Sequence, residues 1–161
     1  MKFSNVLEER ERNGPPRWAG QYISYKKLKK CLKQAKVDAS ATAAASSSVL
    51  GILEDEITRI NSIVLNELDE IELTRRDIFR LRHLHPSAAQ LYVSRERMNW
   101  KRAAELRDFV EIIYETVYKA IKKHDKVTGL ALMAPVSLCL IKGSFMVLKW
   151  MPSLLNSVCR F

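Results

Sequence analysis

Apolar residues in the middle of the chain recur every seven positions. Leu50, Ile57, Val64, Ile71 and Ile78 form one row, with Leu53, Ile60 and Leu81 beside it, while Glu67 and Thr74 interrupt the second row. This repeat predicts one long helix, packed in an antiparallel bundle in preference to a free coiled-coil dimer. Its end is expected near "HLHPS", because Pro86 disfavours helical geometry at the residue before it. Ser87 is then the expected cap of another long helix, running from about Ala88 through Trp100, Leu106, Val110, Ile113 and Val117. Thr128-Gly129 should stop it.

The N-terminal part is shorter in period and more basic. Phe3, Val6 and Leu7 have i, i+3, i+4 spacing, and "NGPPRW" breaks that helix and turns the chain back. In "SYKKLKKCLKQAK", Ser24 is a candidate cap. Leu28, Leu32 and Ala35 form an apolar stripe there, opposite a face of Lys26, Lys29, Lys30, Lys33 and Lys36. Residues 37–48 are small and polar and read as a flexible linker. The C-terminal stretch is apolar, but Lys142, Gly143, Lys149 and two prolines interrupt it short of a spanning length, so no transmembrane segment is expected. The expected fold is all-α: an N-terminal helical hairpin packed on a bundle with two long antiparallel helices and short C-terminal helices.

Composition agrees with this picture. The chain has 161 residues, 47% of them hydrophobic, which suits one globular domain, and only five Gly and five Pro, which favours helix. Cys31, Cys139 and Cys159 are widely spaced without a C-x-x-C, so neither a disulfide framework nor a zinc site is expected. "MKFSNVLEERER" has no apolar core of a signal peptide, and a cytoplasmic or nuclear location is expected. The sequence pattern does not set the oligomeric state.

The net charge of +9 is unevenly distributed. Residues 1–36 hold ten Lys/Arg against three acids, and residues 119–126 hold four against one. Between them, residues 37–118 hold ten against fourteen. Two basic segments thus flank an acidic middle. In "YKAIKKHDK", Lys119, Lys122, Lys123 and Lys126 fall at i, i+3, i+4 and i+7 on one helix face, with Asp125 the single acid among them. Like charges at these spacings destabilise a helix by about 0.2–0.5 kcal/mol per pair. Either solvent absorbs that cost on an exposed helix end, or an anion relieves it.

MKF at the start, SYKKLKK, an acidic long helix and then KAIKKHDKVTG together resemble the SPX domain, over roughly residues 1–130. The resemblance implies a helical receptor of inositol polyphosphates or pyrophosphates in phosphate homeostasis. Tyr25 and Lys29 match phosphate-contacting positions of that family's second helix. Lys119, Lys122, Lys123 and Lys126 match its lysine cluster, and Lys2 lies beside the same basic surface. Lys26, Lys30 and Lys33 are at most helpers in this reading. The family's L-N-Y-T-G-F-like segment ahead of the cluster is replaced by "IIYETVY", which keeps Tyr114 but loses the Asn and Gly. The family's closing helices are also unmatched, leaving residues 131–161 as a divergent apolar tail expected to pack on the domain.

The implied ligands are inositol hexakisphosphate or inositol pyrophosphates, and the implied partner is a regulated transcription factor, transporter or polymerase. Proteins with this domain include free-standing regulators and N-terminal modules of phosphate transporters and polyphosphate polymerases. Compact polyanions suit lysines, whose ammonium groups act as point charges on flexible stems. Nucleic acid or a membrane surface would also suit a basic face, but nucleic acid is not expected given the acidic middle and the lack of interleaved aromatics. No catalytic motif appears, so an enzyme is not expected, and neither is a cofactor. His83 and His85 read as surface residues rather than metal ligands. Trp18, Trp100 and Trp150 read as core or boundary anchors.

Overall fold

A computed structural model describes residues 3–37 and 42–129. Four α-helices account for most of them: α1 (Phe3–Asn13), α2 (Tyr25–Val37), α3 (Thr42–Leu84) and α4 (Ala89–Thr128). There is no strand among the described residues, and the fold is all-α. The expected C-terminal helices, the tail at 131–161, Trp150, Cys139 and Cys159 lie outside the described residues, as does Lys2.

Helices α3 and α4, 43 and 40 residues long, extend for roughly 60 Å each at 1.5 Å per residue. Their cross-links run in opposite order along the two chains, which makes the pair antiparallel. Tyr92 Oη shares its one hydroxyl proton between the carbonyls of Leu81 and His85 near the connection. Further along, Asn99 Nδ2 donates to the Ile71 carbonyl, and Arg102 pairs with Glu67 and Glu70. Helix α2 packs against both long helices. The core between them is built from Leu28 and Leu32 of α2, Val49, Leu53, Ile60 and Val64 of α3, and Leu106, Phe109, Ile113, Val117 and Ile121 of α4.

Two sequence expectations are corrected. Helix α3 begins at Thr42, inside the stretch read as a flexible linker. Residues 43–45 are alanines, the best helix formers, and continuation into a strongly periodic helix removes the cost of nucleation. Ser87 does not cap α4. Pro86–Ala88 form a 3-10 turn, Ala88 occupies the cap position, and no side chain bonds there. The other end follows expectation: Gly129 adopts φ of 70° and returns its N–H to the Asp125 carbonyl.

The link from α1 to α2 is fixed by aromatic packing. After α1, Pro16–Trp18 form a 3-10 turn that delivers Trp18 into the core. Its indole stacks on Phe109 of α4 at 4.4 Å, and Tyr22 meets the same ring edge-on at 5.2 Å. These contacts set where α2 starts. Tyr25, the first residue of α2, is thereby placed beside the C-terminal third of α4.

Candidate anion site at the basic end of the bundle

The four lysines of α4 lie opposite its buried stripe. Val117, Ala120, Ile121 and His124 are buried, Lys122 and Lys126 are exposed, and Lys119 and Lys123 are half-buried at the margins. His124 therefore belongs to the packing face, with Nδ1 3.2 Å from Asp125 Oδ1. The helix is continuous through "IIYETVY". Thr116 is fully buried there, and its hydroxyl donates to the Ile112 carbonyl at 2.7 Å, so a polar residue is accommodated without a break.

Three helices meet at this end. Lys119 Nζ lies 3.9 Å from the centre of the Phe3 ring of α1, and that ring meets Tyr25 of α2 edge-to-face at 5.4 Å. Lys119 also pairs with Glu115 one turn earlier, at 2.6 Å. Lys123 is close enough to Lys29 and Lys33 of α2 for their charges to act on it. Its pKa is lowered, first by burial and then by those two lysines. The surface thus gathers Tyr25, Lys29 and Lys33 of α2 with Lys119 and Lys123 of α4. Lys122 and Lys126 extend it along α4.

The lysines differ in how their charge is balanced. Lys119 has Glu115, and Lys26 pairs with Glu8 of α1 at 2.8 Å. That hydrogen bond is the largest cause of both the lowered pKa of Glu8 and the raised pKa of Lys26. Lys29, Lys33, Lys122, Lys123 and Lys126 have no acidic partner within ion-pair distance among the described residues. Lys33, read from the sequence as at most a helper, lies one turn beyond Lys29 on α2, and both act on Lys123. Sequence reasoning missed Glu115, whose i, i+4 relation to Lys119 is the favourable order for a helical ion pair.

Comparison with known proteins now places this architecture. The family model for the SPX domain matches residues 1–77, which contain α1, α2 and most of α3. The chain is thus similar to SPX domain proteins. Among its relatives, "SPX domain-containing protein 6" of Oryza sativa subsp. japonica is 29% identical over 140 residues, covering 85% of this chain and 58% of that protein. "SPX domain-containing protein 5" of Oryza sativa subsp. indica is 27% identical over 164 residues, covering 99% of this chain and 64% of the relative. "SPX domain-containing protein 2" of Arabidopsis thaliana is 27% identical over 165 residues, covering 84% of this chain and 55% of the relative. The chain therefore spans about three fifths of the length of the curated relatives it matches.

No helix among the described residues is long and apolar enough to cross a membrane. Nor do three or more His, Cys, Asp or Glu side chains gather as metal ligands among them. The lysine ammonium groups and the Tyr25 hydroxyl at the basic end are hydrogen-bond donors of the kind an anion can accept from.

Proposed function

We propose that this chain is an SPX-type, non-enzymatic phosphate-signalling module that binds an inositol polyphosphate or pyrophosphate at the basic end of its bundle. The observation that supports it best is the gathering of Lys29 and Lys33 of α2 against Lys123 of α4, three cations without acidic partners among the described residues. A rigid ring carrying many phosphates can touch both helices at once. Each close ammonium–phosphate pair contributes about 1 to 4 kcal/mol between water-like and surface dielectric limits. Tyr25 supplies a hydroxyl to orient one phosphate. Lys119, Lys122 and Lys126 extend the contact along α4, and Lys2 joins from the N-terminus.

In this reading, occupancy ties α2 to α4, and a regulated protein reads the stabilised surface. That protein is a transcription factor, a transporter or a polymerase, and the module acts in the cytoplasm or nucleus. Isothermal titration of the chain with inositol hexakisphosphate tests the ligand. Saturable binding by the wild type, lost in the Lys119→Ala/Lys122→Ala/Lys123→Ala variant, is the expected outcome. Equal binding by a folded variant would reject the site. Tighter binding of duplex DNA or RNA than of the hexakisphosphate at physiological salt would replace the reading with a nucleic-acid one.

A further inference from the structure

Lys119 differs from the neighbouring lysines of α4 because its ammonium is already engaged. Glu115 Oε1 is 2.6 Å away, and the Phe3 ring lies 3.9 Å below it. Glu115 itself is half-exposed, so its carboxylate shares solvent with the lysine face. An arriving phosphate oxygen and this carboxylate seek the same donor. Lys122, Lys123 and Lys126 present no such competition among the described residues.

We propose that Glu115 is an affinity-setting residue, an internal counter-ion that competes with the polyphosphate ligand for Lys119. The inference rests on the ligand reading above and concerns how that site is regulated. Without ligand, the pair relieves part of the repulsion along α4. On binding, a phosphate replaces the carboxylate at Lys119, and Glu115 turns to water. The net gain from Lys119 is therefore smaller than from a lysine without a partner, and the carboxylate sets that difference. An exposed pair of this kind is worth about 0.2–1 kcal/mol, so its removal should tighten binding by about 1.4- to 5-fold.

The test is a double-mutant cycle on the full chain, titrated with inositol hexakisphosphate at one fixed salt concentration. The four proteins are wild type, Glu115→Gln, Lys119→Met and the double variant, each with a thermal melt. Glu115→Gln should bind more tightly than wild type, although the loss of an i, i+4 pair lowers helix stability slightly. In the Lys119→Met background the same substitution should give no gain. A merely structural role for Glu115 would not tighten binding. An equal gain in both backgrounds would overturn the proposal, since the carboxylate would then act through its general field. Unchanged or weaker binding by Glu115→Gln, with a binding wild type, would overturn this inference and leave the ligand site standing. If the folded wild type bound no hexakisphosphate, the ligand reading would fail, and the competition with it.

Discussion

Midway along the long hairpin, Arg102 of α4 lies between Glu67 and Glu70 of α3, while Arg17 reaches Glu67 at 3.7 Å and Glu105 at 2.8 Å. At the end of the same hairpin, Lys29 and Lys33 act electrostatically on Lys123, and none of the three has an acidic partner within ion-pair distance among the described residues. The first joins charged side chains from three parts of the chain, the second from two. In the first, opposite charges are matched and partly shielded from water, and the network fastens the turn before α2 to both long helices. In the second, like charges are held together by the apolar packing beneath them, Leu28 and Leu32 against Val117 and Ile121. Matched charge serves the fold. Unmatched charge is a standing cost that an external anion can relieve, and that asymmetry is the physical case for a ligand site.

Exchanging perturbations between the two regions tests this most severely. The Lys119/Lys122/Lys123 triple alanine variant should lose at least roughly a hundredfold in hexakisphosphate affinity, taking about 1 kcal/mol for each lost contact. Its circular dichroism should stay nearly wild type, and its melting temperature should not fall. Arg102→Met should do the opposite. It leaves Glu67 and Glu70 without their shared partner, and should destabilise the fold by about 1–3 kcal/mol. Denaturant unfolding measures that, while calorimetry should show hexakisphosphate affinity near wild type. If Arg102→Met weakened binding as much as the lysine variant, the division of roles between the two regions would be wrong.

Salt should separate the regions with a smaller effect. The Debye length falls from about 30 Å at 0.01 M to about 8 Å at 0.15 M. Binding of the hexakisphosphate should weaken steadily over this range, because the lysines are exposed or half-buried. The Arg102 network is partly buried and should contribute to stability with little change. A flat binding curve across that range would mean that hydrogen-bond positioning by groups such as Tyr25 outweighs charge.

Proton linkage sharpens the same contrast at Lys123. Its folded-state pKa lies below the ordinary 10.5, first through burial and then through Lys29 and Lys33. Between that lowered value and 10.5 the unfolded chain binds more protons than the folded one, so this group makes stability rise as pH rises through the window. A bound anion counters the neighbouring positive charges and raises the pKa, so binding takes up a proton there. Affinity should therefore fall as pH climbs through the same alkaline window. Titrations in buffers of different ionisation enthalpy would detect that proton uptake, and Lys123→Met should abolish this part of it.

Much of the architecture was legible because long periodic helices announce themselves. Leu53, Ile60 and Val64 are buried as their seven-residue spacing predicts, and Gly129 ends α4 by the left-handed geometry that only a glycine adopts without strain. Glu67 was read as an interruption of an apolar row, whereas it is a junction for Arg17 and Arg102. Periodicity marks where a polar residue falls but cannot name a partner 35 residues away. The same limit applies to the basic surface. Helical spacing gave the lysine face of α4, and the SPX resemblance linked it to Tyr25 and Lys29. Spacing could not say which α2 lysines face α4 and which face α1, because that depends on how Trp18 and Tyr22 seat on Phe109.

That distinction yields the smallest and most discriminating expectation. Lys26 and Lys33 both lie on the broad basic face of α2, and composition alone would treat them alike. The structure turns Lys26 toward Glu8 of α1, while Lys33 lies near Lys123 without an acidic partner among the described residues. Lys33→Gln should weaken hexakisphosphate binding by about five-fold, corresponding to about 1 kcal/mol. Lys26→Gln should leave affinity within about two-fold, since an exposed ion pair contributes little. Both substitutions remove one positive charge from the same helix, so the general field falls equally in each. A matching loss would mean that α2 acts only through its net charge. The expected difference would show that particular lysines, set by the seating of α2 on α4, form the site.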